Sequence, residues 1–470
     1  AKGCYASIGR PRIDPIVFFK LQLIMFFEGL RSERRLIETA HLNLAHRWYL
    51  GYHLDEPLPD HSSLTKIRQR LGRPLFRRFF EHIVDLCRQA GLVWGQEVLV
   101  DATKARANAD LDSLVPRLAE VVDEHLVALF GEDQPPEDTH PPATGEGQPD
   151  QPRLLHAPAA RTLQAHQPTV ARRWDVLETC RLDPQRPLSP GYQRLSARKL
   201  SRTDPDATPM TPRGGGTALG YQAHYLVDGG RARIILHVLV TPADVMENQP
   251  FLDQFRRTCF RHQLRPRRVI ADTAYGTIEN IRALEAEDIQ AFMPLPDWDK
   301  HSAVYGAAQF TYDAAQDVYH CPNGALLRRY RTEHAAEKVE YRADAAICNA
   351  CPVKTCCTTS RQGRQLHRSF YAEHLERVRG YHGTAAYQKA MRKRSVWVEP
   401  LFAEAKQWHG LRQFRLRGLA NVNMEGLLIA AGQNLKRWLA ATGWGRRHGP
   451  AGSLAAVFPP FALANCRSSG

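Results

Sequence analysis

Two short apolar runs, each closing on an aspartate, constrain this chain most. Glu97-Val98-Leu99-Val100-Asp101-Ala102-Thr103 and Arg268-Val269-Ile270-Ala271-Asp272 are rich in β-branched residues and lack the alternation of a half-exposed strand. Such runs read as strands buried on both faces of a sheet. In open α/β sheets functional groups converge at the carboxyl ends of strands, where both aspartates are expected. A third carboxylate, Glu399, precedes Pro400 at the start of a helical stretch. A residue before proline avoids the α region and proline suits the first helical turn, so Glu399 is expected at a helix N-terminus, where the dipole favours its charged form. Carboxylates that meet repel one another unless a cation neutralises them, and oxygen-only ligands suit Mg²⁺ or Mn²⁺. Glu404 is the nearest rival carboxylate in the same helix.

The rest of the chain falls into stretches of distinct composition. Residues 14–91 read as all-helical, with apolar positions at helical spacing through Ile16–Phe27, Leu36–Leu42 and Leu75–Leu86. Ser62 or Ser63 is expected to cap a short helix over Leu64–Leu71, Gly72 to end it and Pro74 to open the next. After the first strand, Leu111–Leu129 reads as a helix, and residues 131–170 are too poor in apolar residues to pack. Gly220–Asp228 and Ala232–Val240, joined at Gly229-Gly230, read as a hairpin. A helix over Asn248–His262, the Asp272 strand, a helix over Ile278–Ala286 and a strand over Ile289–Met293 follow.

The expected class is therefore mixed α/β, and the expected divisions are these. Residues 1–95 form a helical, DNA-binding block, and 96–300 the first part of a catalytic domain with a Pro-rich, partly disordered insertion at about 131–195. Residues 301–385 form a Cys-rich insertion, 386–440 the helical end of the catalytic domain and 441–470 a flexible tail.

Five of the ten cysteines lie between Cys321 and Cys357. Cys321, Cys348, Cys351 and Cys356 supply four thiolates, with Cys357 as the alternative to Cys356, and the pair Cys348 and Cys351 has the C-x2-C spacing of half a structural zinc site. Clustered cysteines in an unexported chain point to metal rather than disulfides. The greasy segment Ile16–Leu30 carries Lys20 and Glu28, so it reads as an amphipathic helix, and no run of about 18 apolar residues suits a bilayer.

With 63 Lys and Arg against 49 Asp and Glu, the formal net charge is +14, which favours a polyanionic partner. Between Arg392 and Arg417, seven cations accompany two acids, interleaved with Trp397, Trp408, His409 and Phe414. Arg394, Lys406, Arg412, Arg415 and Arg417 are the candidate phosphate contacts there. In the helical block, Lys66 and Arg70 lie opposite the apolar face of Leu64, Ile67 and Leu71, as a helix laid in a DNA groove requires.

Several of these segments occur together and in one order. Asp60-His61-Ser62-Ser63-Leu64, Arg68-Gln69-Arg70-Leu71, Val100-Asp101-Ala102-Thr103, Thr203-Asp204-Pro205-Asp206-Ala207, Gly220-Tyr221-Gln222, Ala271-Asp272-Thr273-Ala274-Tyr275-Gly276, Val398-Glu399-Pro400-Leu401-Phe402 and Asn434-Leu435-Lys436-Arg437 together resemble the bacterial insertion-sequence DDE transposases over roughly residues 8–440. The resemblance implies an RNase H-like catalytic fold, with Asp101, Asp272 and Glu399 as metal-binding triad. It implies cleavage at terminal inverted repeats and joining of the freed 3′-hydroxyl to target DNA. A homodimer on DNA and a cytoplasmic, nucleoid-associated location are the further expectations. Related transposases carry a Lys seven positions after the glutamate, matched by Lys406; the usual Arg four positions before it is Ser395 here, with Arg394 beside it. A nuclease of the same fold, or a non-catalytic DNA-binding regulator, are the competing classes.

Overall fold

Asp14 opens the first helix. Its carboxylate accepts from the Ile16 N–H at 2.8 Å and Pro15 occupies the first turn, so α1 runs Pro15–Phe27. The computed structural model describes residues 13–116, 199–212, 214–296 and 304–443. After α1 come α2 (Glu33–Leu42), α3 (Leu44–Leu50) and α4 (His61–Gln89). The cap of α4 is Asp60, which accepts from the Ser62 N–H at 2.8 Å, rather than Ser62 or Ser63. Gly72 kinks α4 with φ +63°, where an L side chain would be strained, and Pro74 lies just beyond, so the two expected helices form one bent rod.

A six-stranded sheet follows. β1 (Glu97–Arg106) is succeeded by a small two-stranded ladder of β2 (Leu114–Pro116) and β3 (Lys199–Ser201). Then come β4 (Thr208–Met210), β5 (Ala218–Asp228), β6 (Ile235–Pro242), α5 (Phe251–His262), β7 (Arg268–Ile270), α6 (Ile278–Glu285) and β8 (Gln290–Phe292). The helix expected over Leu111–Leu129 begins instead as one 3₁₀ turn at Leu111–Ser113 and passes into β2; its remainder, the Pro-rich insertion and residues 444–470 of the expected tail lie outside the described residues. β1 lies between antiparallel β5 and parallel β7, β6 and β4 flank β5, and β8 runs parallel beside β7.

The chain then builds a second, antiparallel sheet from β9 (Thr311–Asp313), β10 (Val318–His320), β11 (Leu326–Glu333) and β12 (Lys338–Ala343). Two short helices, α7 (Ala345–Asn349) and α8 (Lys354–Cys357), precede its last strand, β13 (Gln365–Ser369). Phe310, Leu327, Tyr341, Ala343, Cys357 and Leu366 form its separate core. α9 (Ala372–His382) already packs back on α6 and β8, so the small-sheet module ends before residue 385. α10 (Ala385–Trp397), α11 (Glu399–Trp408) and α12 (Leu419–Ala441) complete the chain.

The N-terminal helices do not form a separately cored unit. Phe18, Leu36, Leu64 and Phe80 belong to one continuous core with Val98, Tyr225, Ile270 and Ala430, because α12 packs against both α4 and β6. Two asparagines weld α12 to β6. Asn434 accepts from the Ile235 N–H at 2.9 Å and donates to its carbonyl at 2.8 Å, and Asn423 does the same for Val240 at 2.9 and 2.8 Å. These bonds satisfy backbone groups that the edge strand leaves unpaired. Gly426 lets the helix come close: a Cβ there would stand 2.9 Å from Val240. Asp204 and Asp206 anchor the other end of α12, accepting from the N–H groups of Gly418 at 3.1 Å and Leu419 at 2.8 Å.

Asn434→Ala removes both partners of Ile235 and leaves two buried backbone groups unpaired. The expected loss is about 2–4 kcal/mol of unfolding free energy, read from urea denaturation; a change below about 0.5 kcal/mol would show that the weld contributes nothing.

Candidate active site

Strand register brings the first two acids together. Leu99 lies level with Ile270 in the parallel pair, so Asp101, two residues further along β1, and Asp272, two residues beyond the end of β7, emerge side by side. Asp101 is not at a strand end, as the sequence pattern predicts, because β1 continues to Arg106 by pairing its polar half with β5. Asp272 does leave its strand, and its carboxylate caps a 3₁₀ turn by accepting from the Ala274 N–H at 3.0 Å.

Among the described residues, one group of His, Cys, Asp or Glu side chains has its ligand atoms all within 4.8 Å of one another: Asp101, Glu247 and Asp272. Glu247 lies in the loop between β6 and α5 and accepts from the Gln222 side chain at 2.6 Å. Sequence reading missed it, since an acid in an irregular loop has no periodic signature. Its signal is positional, an acid shortly after the strand that ends at Pro242.

Glu399 is the first residue of α11 and is exposed. It acts on Asp101 electrostatically but is outside the close group. α11 is seated by Phe402, whose ring lies 4.5 Å from that of Tyr225, the cross-strand partner of Asp101. Lys406, two turns after Glu399, donates to the Thr103 hydroxyl at 2.6 Å. Glu404 is committed elsewhere: despite its burial, His409 at 3.7 Å, Lys436 at 2.6 Å and Arg437 at 2.9 Å hold it far below the usual carboxylate range.

Burial pushes the Asp101 carboxyl up to about 6, against the pull of Arg394, whose guanidinium lies 3.5 Å away. Burial likewise raises Glu247 to about 7, with Asp272 and Asp101 adding repulsion. One arginine does not neutralise this group. The uncompensated charge fits a divalent cation held by oxygen ligands.

The other candidate cations divide between surface and interior. Lys66 and Arg70 lie on the exposed face of α4, opposite buried Leu64, Ile67 and Leu71. Arg412 and Arg417 are exposed, the latter donating to the Asn108 carbonyl at 2.9 Å. Arg415 is not a surface cation. It pairs with Glu33 at 3.0 Å beside buried Arg68, and its backbone N–H donates to Glu425, so it ties the helical block to the loop after α11. Arg394 faces Asp101 rather than open surface.

In the small-sheet module, Cys321, Cys348, Cys351 and Cys357 line one cavity, and Cys356 is exposed away from it. Of the two alternatives it is Cys357 that lines the cavity, because the single turn of α8 sends consecutive side chains in different directions. The Ala325 N–H donates to the Cys321 sulfur at 3.2 Å, and burial, followed by the three neighbouring cysteines, raises the Cys357 thiol. No helix among the described residues is long and apolar enough to cross a membrane.

The family model described as Transposase DDE domain matches residues 320–439, and that described as Transposase domain (DUF772) matches residues 1–70. No curated protein and no solved structure matches the chain. The two matches support an insertion-sequence DDE transposase.

The raised carboxyls give stability a definite sign with pH. Folded Asp101 and Glu247 retain protons that the unfolded chain, with carboxyls near about 4, has lost. Stability of the metal-free protein therefore falls as pH rises from about 4 to about 7. Unfolding curves across that range in chelator are expected to show a shallower fall for Asp101→Asn; identical slopes in variant and wild type would contradict the strained carboxylate.

Proposed function

We propose that the chain is a DNA transposase that cleaves the ends of its element and joins the freed 3′-hydroxyl to target DNA. The observation carrying this reading is the convergence of Asp101 and Asp272 on adjacent strands in a chain that matches transposase families at both ends. The antiparallel β6-β5-β1 meander continued by parallel β7 and β8 supports an RNase H-like core.

Asp101, Asp272 and Glu399 would hold the divalent cation, Mg²⁺ or Mn²⁺, which would activate the attacking oxygen and offset charge on the phosphate under attack. Lys406, braced by Thr103 on the aspartate strand, holds a phosphate at the edge of the acids. Arg394 orients the Asp101 carboxylate from one side. The exposed cations Lys66, Arg70, Arg412 and Arg417 track phosphates beyond the cleavage point, fixing register without reading bases. The residues assigned here form no covalent link to DNA, so no Ser or Tyr nucleophile is required. Joining two ends places two copies of the chain on the DNA.

Cys321, Cys348, Cys351 and Cys357, which line one cavity of the small-sheet module, would hold a structural Zn²⁺. Four thiolates would leave the metal no open position for chemistry, and a core of six buried residues would gain a staple.

Asp101→Asn, Asp272→Asn and Glu399→Gln are each expected to reduce cleavage of element-end DNA by more than the roughly 100-fold that loss of an outer-sphere partner costs, with DNA binding retained. Joining of a pre-cleaved end to a target duplex separates transposase from nuclease: cleavage without joining would overturn the transposase reading. Full cleavage by Asp101→Asn would overturn the site. For the zinc module, elemental analysis of the purified chain is expected to give about one Zn per chain, lost in Cys357→Ser and retained in Cys356→Ser. Loss only in Cys356→Ser would reverse the ligand assignment.

A further inference from the structure

Glu247 has no part in the three-acid reading, yet it and not Glu399 belongs to the close group with both aspartates. Its ligand oxygen lies within 4.8 Å of theirs, in a group that excludes Glu399. Gln222, on β5 beside the aspartate strand, fixes Oε1 at 2.6 Å, and among the described residues no hydrogen-bond donor engages Oε2. A loop glutamate left to itself would turn to solvent rather than join two other carboxylates, one of them buried.

A second observation comes from Tyr275, three residues after Asp272. Its side chain is 1% exposed and its hydroxyl has no hydrogen-bond partner. Such a group costs about 1–3 kcal/mol when left unsatisfied, so an oxygen-bearing occupant is expected beside it. The acids acting on that hydroxyl are Glu247, Asp101 and Asp272, in that order, so it lies in the field of the same cluster. Four carboxylates, counting Glu399, exceed the one or two that a single Mg²⁺ ordinarily takes and suit a site handling two ions.

We propose that Glu247 is a fourth carboxylate ligand of the divalent-cation site, binding together with Asp101 and Asp272, while Glu399 closes the site from α11. The inference rests on the reading of the two aspartates as metal ligands. It assigns to the loop after β6 the task of completing the inner side of the site, with the Tyr275 hydroxyl as a positioning donor.

Mn²⁺ titration of the full-length protein, followed by calorimetry, tests this without measuring activity. Glu247→Gln is expected to bind Mn²⁺ at least about 10-fold more weakly than wild type. Glu247→Asp, which keeps the charge on a shorter arm, is expected to fall between them. In chelator, Glu247→Gln is expected to melt at or above the wild-type temperature, since it relieves repulsion, and its rise in melting temperature on adding Mn²⁺ is expected to be smaller. Wild-type Mn²⁺ affinity in Glu247→Gln, alongside weakened binding in Asp101→Asn, would remove Glu247 and leave the aspartate site standing. Unchanged affinity in both variants would overturn the metal site itself, and the inference with it.

Discussion

Burial of carboxyl groups beside one another is the constraint on which the structure turns. Asp101 and Asp272 cannot separate, because hydrogen-bonded strands in fixed parallel register hold their backbones. The arginine facing Asp101 leaves its carboxyl raised. A fold that tolerates this arrangement gives up stability locally, a pattern found where charge is stored for function. The surrounding elements hold the sheet rigid: α12 is fastened to the edge strand by Asn423 and Asn434, and its N-terminus to Asp204 and Asp206.

The same logic sorts the charges around the site. Glu404, Arg68 and Arg415 lie in the stretches that carry the candidate cations and acids, but each is consumed by a structural partner. The Arg415–Glu33 pair joins the N-terminal helices to the segment after α11, and the two share one continuous core. Lys66, Arg70, Arg412 and Arg417 lie at the surface, which is where the proposed phosphate contacts would have to be made.

How much of this the sequence carried depends on whether a residue's role is set locally or by pairing. Asp101 and Asp272 were legible because each ends an uninterrupted apolar run, and Glu399 because Pro400 fixes its place at a helix start. The extension of β1 to Arg106 was not, since Lys104 and Arg106 are polar and belong to a strand only through β5. Glu247 was invisible for the same reason: only the fold carries its loop to the aspartates. The choice between Cys356 and Cys357 turns on the direction of two side chains within one helical turn, and spacing carries no such information. The buried role of Arg415 followed from Glu33, a partner hundreds of residues away. Local patterns revealed the strands and their acids, and tertiary pairing decided which charges remained available.

The most direct test of the central claim is anomalous diffraction from crystals of the full chain grown with Mn²⁺. A manganese peak within coordination distance of both Asp101 and Asp272, with Arg394 displaced from its contact, is the predicted result. Ordered carboxylates with no manganese between them, and Asp101 still paired only with Arg394, would contradict the account.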